Sequence, residues 1–205
     1  HITSENIQFL FHKATFSPEL PSDETVCIPF FSRTEMEYYV HSLLLLEAAR
    51  ENGTVQILLQ PDCPFLFSTL SSLRLKGTLT VEHLICFSKT GQVTSQRQLY
   101  NLYCLEAMLP LFFTNIDYHP YYFYDDVTAH YQNFNGFPCM LLTSEYALVC
   151  TADYQKGFLY KGASHLRLLQ ELYFSYQQLC KPLFQVIDCF PMDGTLQQMY
   201  HLTPS

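Results

Sequence analysis

The residues of this chain that could bind a metal or move a proton are eight histidines, spread evenly along it: His1, His12, His41, His83, His119, His130, His165 and His201. No two lie three to five residues apart and no His-Glu-x-x-His motif occurs, so their spacing is not that of a zinc site. His119 and His130 bracket Asp125 and Asp126, which keeps a metal site in that loop open as an alternative. The spacing favours solvated or partly buried histidines. We predict neither a metal nor a cofactor.

The candidate nucleophiles lack a motif that would activate them. The eight cysteines include no Cys-x-x-Cys pair and most lie in apolar runs, which favours reduced core thiols over a disulfide framework. Gly-x-Ser-x-Gly is absent, and Ser164 stands where a helix cap is expected. The seven glycines form neither Gly-x-Gly-x-x-Gly nor a Walker motif, which argues against nucleotide cofactors. We therefore predict no catalytic residue and expect that the chain is not an enzyme.

Aromatic residues are unusually frequent, with 15 tyrosines and 17 phenylalanines but no tryptophan. Many of them crowd into residues 118–137. Such rings can seal a core or an edge strand, form a protein interface, or line a pocket whose hydroxyl groups orient a ligand, and all three remain open. For the pocket, we predict four ligand-binding residues: Tyr118, Tyr122, Tyr124 and Tyr131.

The charge balance and the apolar runs restrict the partners. The chain has 11 basic and 19 acidic residues among 205, a net charge of −8, so we predict no direct nucleic-acid contact from this region. No apolar run approaches the roughly 18 residues that span a bilayer, and the start is not a signal peptide. We expect no membrane contact and a cytoplasmic location. The abrupt start, His1-Ile2-Thr3, leads us to expect a fragment of a longer protein.

The hydrophobic periodicity alternates between helices and strands. Thr34 to Glu37 fits a capping box, which predicts a helix to about Asn52. The spacing of its apolar residues predicts that six of them face inward: Met36, Tyr39, Val40, Leu43, Leu44 and Leu46. The apolar run Val55 to Leu59 predicts a strand buried on both faces. Pro120 makes 117–125 an edge strand. Further strands are predicted at 7–12, 25–31, 78–87, 158–160, 183–187 and twice within 139–151, and further helices at 65–75, 95–113, 163–180 and 196–202. The pattern predicts an α/β fold, a mixed sheet with flanking helices.

The chain is expected to form a single domain over residues 1–205. Residues 34–64 and 163–191 both run helix, break, apolar strand and then an acidic residue, a cysteine and a proline. This similarity between the two segments is compatible with two pseudo-symmetric halves, 1–92 and 93–205, with a cleft between them.

Residues 141–183 run from Leu-Leu-Thr-Ser-Glu-Tyr-Ala-Leu-Val-Cys-Thr-Ala-Asp-Tyr through a glycine to a long helix that ends in Gln-Gln-Leu-Cys-Lys-Pro-Leu. This stretch, about a fifth of the chain, resembles the C-terminal regions of bacterial helix-turn-helix transcriptional regulators. It also loosely resembles phospholipase-D-like regulatory domains. The resemblance implies a ligand-sensing or oligomerising module whose DNA-binding segment lies outside these residues.

The catalytic signature of the phospholipase D group, His-x-Lys-x-x-x-x-Asp, is absent. His12-Lys13 lacks the spacer, and His165-Leu166-Arg167 has arginine in place of lysine. We therefore predict a non-catalytic, ligand-sensing or oligomerising domain of a bacterial transcriptional regulator, with a small-molecule effector and a homo-oligomeric state. One alternative is a small hydrolase that uses a Cys or Asp with a His. The other is a purely structural dimerisation domain.

Overall fold

A computed structural model describes residues 25–61, 63–88, 95–125 and 138–184, with side chains from residue 100 onward in the third range. The strands within these residues are β1 (Val26–Phe30), β2 (Asn52–Leu58), β3 (Thr78–Ser88), β4 (Asp117–Asp125), β5 (Cys139–Leu142), β6 (Tyr146–Cys150), β7 (Gly157–Lys161) and β8 (Lys181–Pro182). The helices are α1 (Arg33–Ala48), α2 (Pro64–Ser72), α3 (Ser95–Met108) and α4 (Ala163–Gln177), and a 3-10 helix (Leu109–Phe113) follows α3.

All eight strands form one mixed sheet in the order β1-β7-β6-β5-β2-β3-β4-β8. The strands β2, β3 and β4 are parallel neighbours, joined by crossovers that contain α2 and α3, whereas β1, β7, β6 and β5 are antiparallel. On the outer side of β4, the part of the chain that the structure describes places the two-residue β8. The predicted α/β class with a mixed sheet and flanking helices is confirmed.

The two faces of the sheet are covered by different helices. On the core face, α1, α2, α3 and the 3-10 helix pack over alternate strand residues such as Val55, Ile57 and Ile85. On the other face, which we call the α4 face, Leu166 and Tyr173 of α4 pack over a smaller apolar cluster. Because successive strand residues point to opposite faces, each strand contributes to both.

Helix α1 begins earlier than the predicted capping box. Ser32 is the N-cap, its Oγ accepts a hydrogen bond from Glu35 N at 3.2 Å, and Glu35 Oε2 accepts one from Phe31 N at 2.7 Å. The arrangement resembles a capping box built on Ser32 and not on Thr34, except that the Glu35 carboxylate binds the N–H of Phe31, one residue before the cap, and not the N–H of Ser32. Leu46, expected to face inward, is 42% exposed.

The ends of α4 also differ from the prediction. Gly162, with φ of 122°, precedes the helix, and Ser164 lies in its first turn, so Ser164 is not the cap. After the helix, Lys181 and Pro182 form β8. Of the predicted strand at 183–187, Leu183 and Phe184 form a bend, and residues 185–187 lie outside the described residues. The predicted elements at 7–12 and 196–202 lie outside the described residues.

The division into halves stays a prediction, although strands from both proposed halves share the one sheet. No helix within the described residues is long and apolar enough to cross a membrane.

Candidate functional site

A groove of about 260 Å³ opens on the α4 face of the sheet. Its floor is formed by alternate residues of β2 and β3, one wall by the end of β5 with Thr143, and the other wall by α4. The lining residues are Thr54, Val55, Gln56, Thr80, Glu82, Leu142, Thr143, Gln170 and Phe174. The floor is polar although the neighbouring positions on this face are apolar.

The polar floor is made of two rows that cross three strands. In the first row, Gln56 lies beside Glu82, and Gln56 Nε2 donates a hydrogen bond to Glu82 Oε2 at 2.9 Å. Glu82 in turn lies beside His119 in the register of β3 and β4. The polar floor therefore continues past the groove onto β4.

The second row runs parallel to the first, one step nearer the strand starts. Thr54 lies beside Thr80, which lies beside Asp117. Thr80 Oγ1 donates a hydrogen bond to Asp117 Oδ2 at 3.4 Å. The rows are joined on β4, where His119 Nε2 lies 2.9 Å from Asp117 Oδ1. Both of these side chains are about half exposed, so water reaches them.

The His119–Asp117 pair can hold and move a proton. When the carboxylate accepts a hydrogen bond from Nε2–H, the imidazole is fixed in the tautomer whose Nδ1 accepts protons. This is how a carboxylate orients a histidine base in enzymes. Among the described residues, no group of three or more His, Cys, Asp or Glu side chains is arranged to hold a metal ion.

Helix α4 is held against the floor of the groove by one hydrogen bond from its buried tyrosine. Tyr173 Oη donates to the main-chain oxygen of Glu82 at 3.0 Å. Burial raises the pKa of Tyr173, so the phenol remains a donor. Gln170 and Phe174, on either side of Tyr173 in the same helix, form the groove wall.

The β5 wall is tied to α1 by a buried carboxylate. Glu47 is 1% exposed; its Oε2 accepts from Thr54 N at 3.1 Å and from Ser144 Oγ at 2.9 Å, and its Oε1 accepts from Ser144 N at 3.0 Å. Arg50 Nε lies 3.2 Å from Oε1. One side chain thus joins the start of β2, the β5–β6 turn and the end of α1.

A second buried polar group, His83, lies on the core face. The ring is fully buried, with Nε2 2.7 Å from Leu59 O and Nδ1 2.8 Å from the Tyr118 hydroxyl. Because a carbonyl only accepts, Nε2 carries the proton and Nδ1 accepts the Tyr118 hydroxyl. Burial lowers the pKa of His83 to about 4 despite the bond to Leu59, so the ring is neutral at neutral pH.

Three of the four tyrosines predicted to bind a ligand are described, and they lie on the opposite face of the sheet from the groove. Tyr118 is buried in the core against His83 and Phe112. Tyr122 and Tyr124 pack against each other, with ring centroids 5.5 Å apart, at the carboxyl end of β4. None of these three lines the groove. Tyr131 lies outside the described residues, and the role of the four in binding stays a prediction.

The thiols of Cys86 and Cys180 are poor nucleophiles. Burial raises the pKa of Cys86 to about 12 and that of Cys180 to about 11, so the thiolate is scarce at neutral pH. These two cysteines do not support the alternative in which a cysteine acts with a histidine.

The sequence contains the signal that predicts the polar floor. Three strand starts share the order polar, apolar, polar: Thr54-Val55-Gln56, Thr80-Val81-Glu82 and Asp117-Tyr118-His119. Sequence analysis did not compare these starts, because only the pairing of β2, β3 and β4 brings them side by side.

No protein-family model matches the chain, and no curated protein matches it in sequence. Three solved structures resemble it in fold. TrmBL2, described as an archaeal chromatin protein with a novel mode of DNA binding, is 9% identical, with a TM-score of 0.43, over 87% of this chain. The chain spans 62% of the length of TrmBL2.

The other two solved structures are covered almost entirely by the chain. NucT from Helicobacter pylori is 8% identical over 78% of this chain and 99% of its own, with a TM-score of 0.43. Nuc from Salmonella typhimurium, described as a phospholipase D family member, is 10% identical over 79% of this chain and 100% of its own, with a TM-score of 0.41. The likeness to the phospholipase D family is loose and one of fold.

The comparison corrects one prediction. The sequence led us to expect that the chain is not an enzyme, whereas two of the structures that resemble it in fold are NucT and a phospholipase D family member. The expectation that the chain is not an enzyme is withdrawn. The predicted setting in a helix-turn-helix regulator stays a prediction.

Proposed function

We propose that this chain is a ligand-recognition domain and that the groove between β2, β3 and α4 takes a small polar ligand. The observation that carries the proposal is the row of hydrogen-bonding side chains, Gln56 and Glu82 above all, on the floor of a concave site with an aromatic wall. Binding sites of this kind combine apolar walls with a few converging polar groups.

The charges of the groove select the kind of ligand. Among the described residues that line it there is no lysine or arginine, whereas Glu82 lies in it and Asp117 lies beside it. Carboxylates accept hydrogen bonds and repel anions, so the ligand should carry donors such as an amine, a guanidinium or hydroxyls. The face of the Phe174 ring offers a cation a further favourable contact.

A ligand in the groove touches elements that can transmit its binding. It would contact α4 through Gln170 and the β5 wall through Thr143, which adjoins the Glu47 network. A ligand that binds one arrangement of α4 more tightly shifts the population toward it. This is the behaviour of a sensor module, the role that the resemblance over residues 141–183 implies.

Binding in the groove can be tested by titrating arginine, agmatine and putrescine into the whole chain and measuring binding by calorimetry. We expect Glu82→Gln to weaken the binding of at least one of them about tenfold or more, because the charge-assisted hydrogen bond is lost. Glu51→Gln removes the same charge from an exposed position outside the groove and should leave binding unchanged. Failure of all three compounds to bind, or equal loss in both variants, would contradict the site.

The His119–Asp117 pair favours a second candidate function, hydrolysis of a ligand by a water molecule that His119 deprotonates. The supporting observation is the 2.9 Å contact beside the groove. General-base catalysis of this kind contributes about 10² to 10⁴ in rate.

Hydrolysis can be tested with p-nitrophenyl acetate and bis-p-nitrophenyl phosphate as chromogenic probes. If either is turned over, His119→Ala should lower kcat about 100-fold, and Asp117→Asn somewhat less, because the tautomer is no longer fixed. His41→Ala, at an exposed position on α1, is the matched control. Turnover that survives His119→Ala would assign it to another group.

A further inference from the structure

Helix α4 carries a second apolar stripe that faces away from the sheet. Leu168 is 59% exposed, Leu172 is 39% exposed and Leu179, in the turn after the helix, is 78% exposed, and Ser175 lies exposed between the last two. At 100° per residue the three helical positions, Leu168, Leu172 and Ser175, fall within about 60° of the helix circumference, and Leu179 follows them in the turn that ends the helix. The opposite side of α4 is already packed on the sheet through Leu166 and Tyr173.

A helix that is apolar on two sides requires two partners. The stripe positions 168, 172, 175 and 179 follow steps of four, three and four, which is the spacing of a coiled-coil seam. These spacings are symmetric about the midpoint of the stripe, which lies between residues 173 and 174. An antiparallel second copy would therefore place Leu168 against Leu179 and Leu172 against Ser175, and the same contacts would repeat across the two-fold axis.

The charges along α4 also fit a second copy. The chain carries −8, which opposes self-association in general. Within α4, however, the charged residues are Arg167 and Glu171, and Arg167 Nε lies 3.0 Å from Glu171 Oε1. The pair leaves the helix without net charge. The small Ser175 side chain next to Leu172 of the partner permits a close approach of the two helices.

We propose that two copies of this chain associate through antiparallel packing of α4 on α4, with Leu168, Leu172, Ser175 and Leu179 forming the seam. The proposed dimer does not depend on ligand binding in the groove, which lies on another side of α4. It names a second copy of this chain as the partner of the side of α4 that faces away from the sheet.

The test is sedimentation velocity of the whole chain over a range of concentrations, with circular dichroism to confirm that each variant is folded. We expect a concentration-dependent dimer, and we expect Leu172→Glu to raise its dissociation constant at least about tenfold by placing a charge in the seam. Leu45→Glu on α1, whose leucine is 48% exposed, is the matched control and should leave the dimer intact.

A charge-pair variant tests the antiparallel arrangement itself. Ser175→Lys alone should also weaken the dimer, whereas the double variant Leu172→Glu/Ser175→Lys should restore part of it, because each new carboxylate then faces a new ammonium group of the partner. A chain that is monomeric throughout, or a dimer indifferent to Leu172→Glu, would overturn the proposal. A dimer that both leucine variants weaken equally would overturn it too.

Discussion

Glu47→Ala is expected to lower the free energy of unfolding by about 3 kcal/mol. The substitution removes a carboxylate that is 1% exposed and that accepts hydrogen bonds from Thr54 N, Ser144 N and Ser144 Oγ. Thr54 and Ser144 are themselves exposed, so the cost is the loss of hydrogen bonds to a charged acceptor and not the burial of donors without partners. Urea unfolding followed by circular dichroism measures the change.

The matched control is Glu145→Ala. Glu145 also pairs with Arg50, but its side chain is 50% exposed, and exposed ion pairs contribute about 1 kcal/mol or less. A loss for Glu47→Ala no larger than for Glu145→Ala would mean that the network does not hold the β5–β6 turn to α1. Ligand binding in the groove should weaken with the Glu47 variant, because Thr143 adjoins that turn.

The stability of the chain is expected to fall by roughly 3 kcal/mol between about pH 6.5 and pH 4 through His83 alone. The pKa of His83 is about 4 in the folded chain, below its ordinary value of 6.5, because the ring is fully buried. Between these two values the unfolded chain binds a proton that the folded chain does not, so stability is lost as the pH falls. Above that window the contribution is fully present, and below it no further loss arises from this group.

Carboxylates titrate in part of the same pH range. The contribution of His83 to the pH dependence of stability is therefore measured by comparing the native chain with a variant that lacks this histidine. His83→Gln removes the titration and keeps an N–H that can donate to Leu59 O. The difference in unfolding free energy between the native chain and this variant should shrink as the pH falls from 7 to 4. His41→Gln, at an exposed position, should leave the pH profile unchanged. A difference that stays constant with pH would show that His83 is not held neutral by burial.

The hydrophobic periodicity of the sequence and the positions of its prolines and glycines were sufficient to locate most of the described helices and strands. The apolar residues from Val55 to Leu59 predicted a strand buried on both faces, and the second half of β2 has helices packed on each side of it, whereas Thr54 and Gln56 lie in the open groove. Pro120 predicted an edge position, and within the described residues β4 lies one strand in from the edge, next to the two-residue β8. These features are local, since a proline or an apolar run limits the backbone wherever the segment lies.

The position of side chains relative to those elements was less predictable. The helical pattern placed Leu46 inward, whereas the neighbouring Glu47 is buried and Leu46 is 42% exposed. A carboxylate can be buried there because Thr54, on the strand that follows the helix, and Ser144, from a distant part of the chain, both bring donors to it. Tyr118, expected in a pocket, is likewise held in the core by its bond to His83.

By itself, the sequence determined the fold class, the run of helices and strands and the acidic charge, since each follows from residue types and their spacing along the chain. The tertiary structure alone decided which strands became neighbours and therefore which polar residues meet. Thr54, Thr80 and Asp117 lie far apart in the chain and side by side in the sheet. Pairing between distant strands depends on how whole elements pack against one another, and no local pattern specifies it.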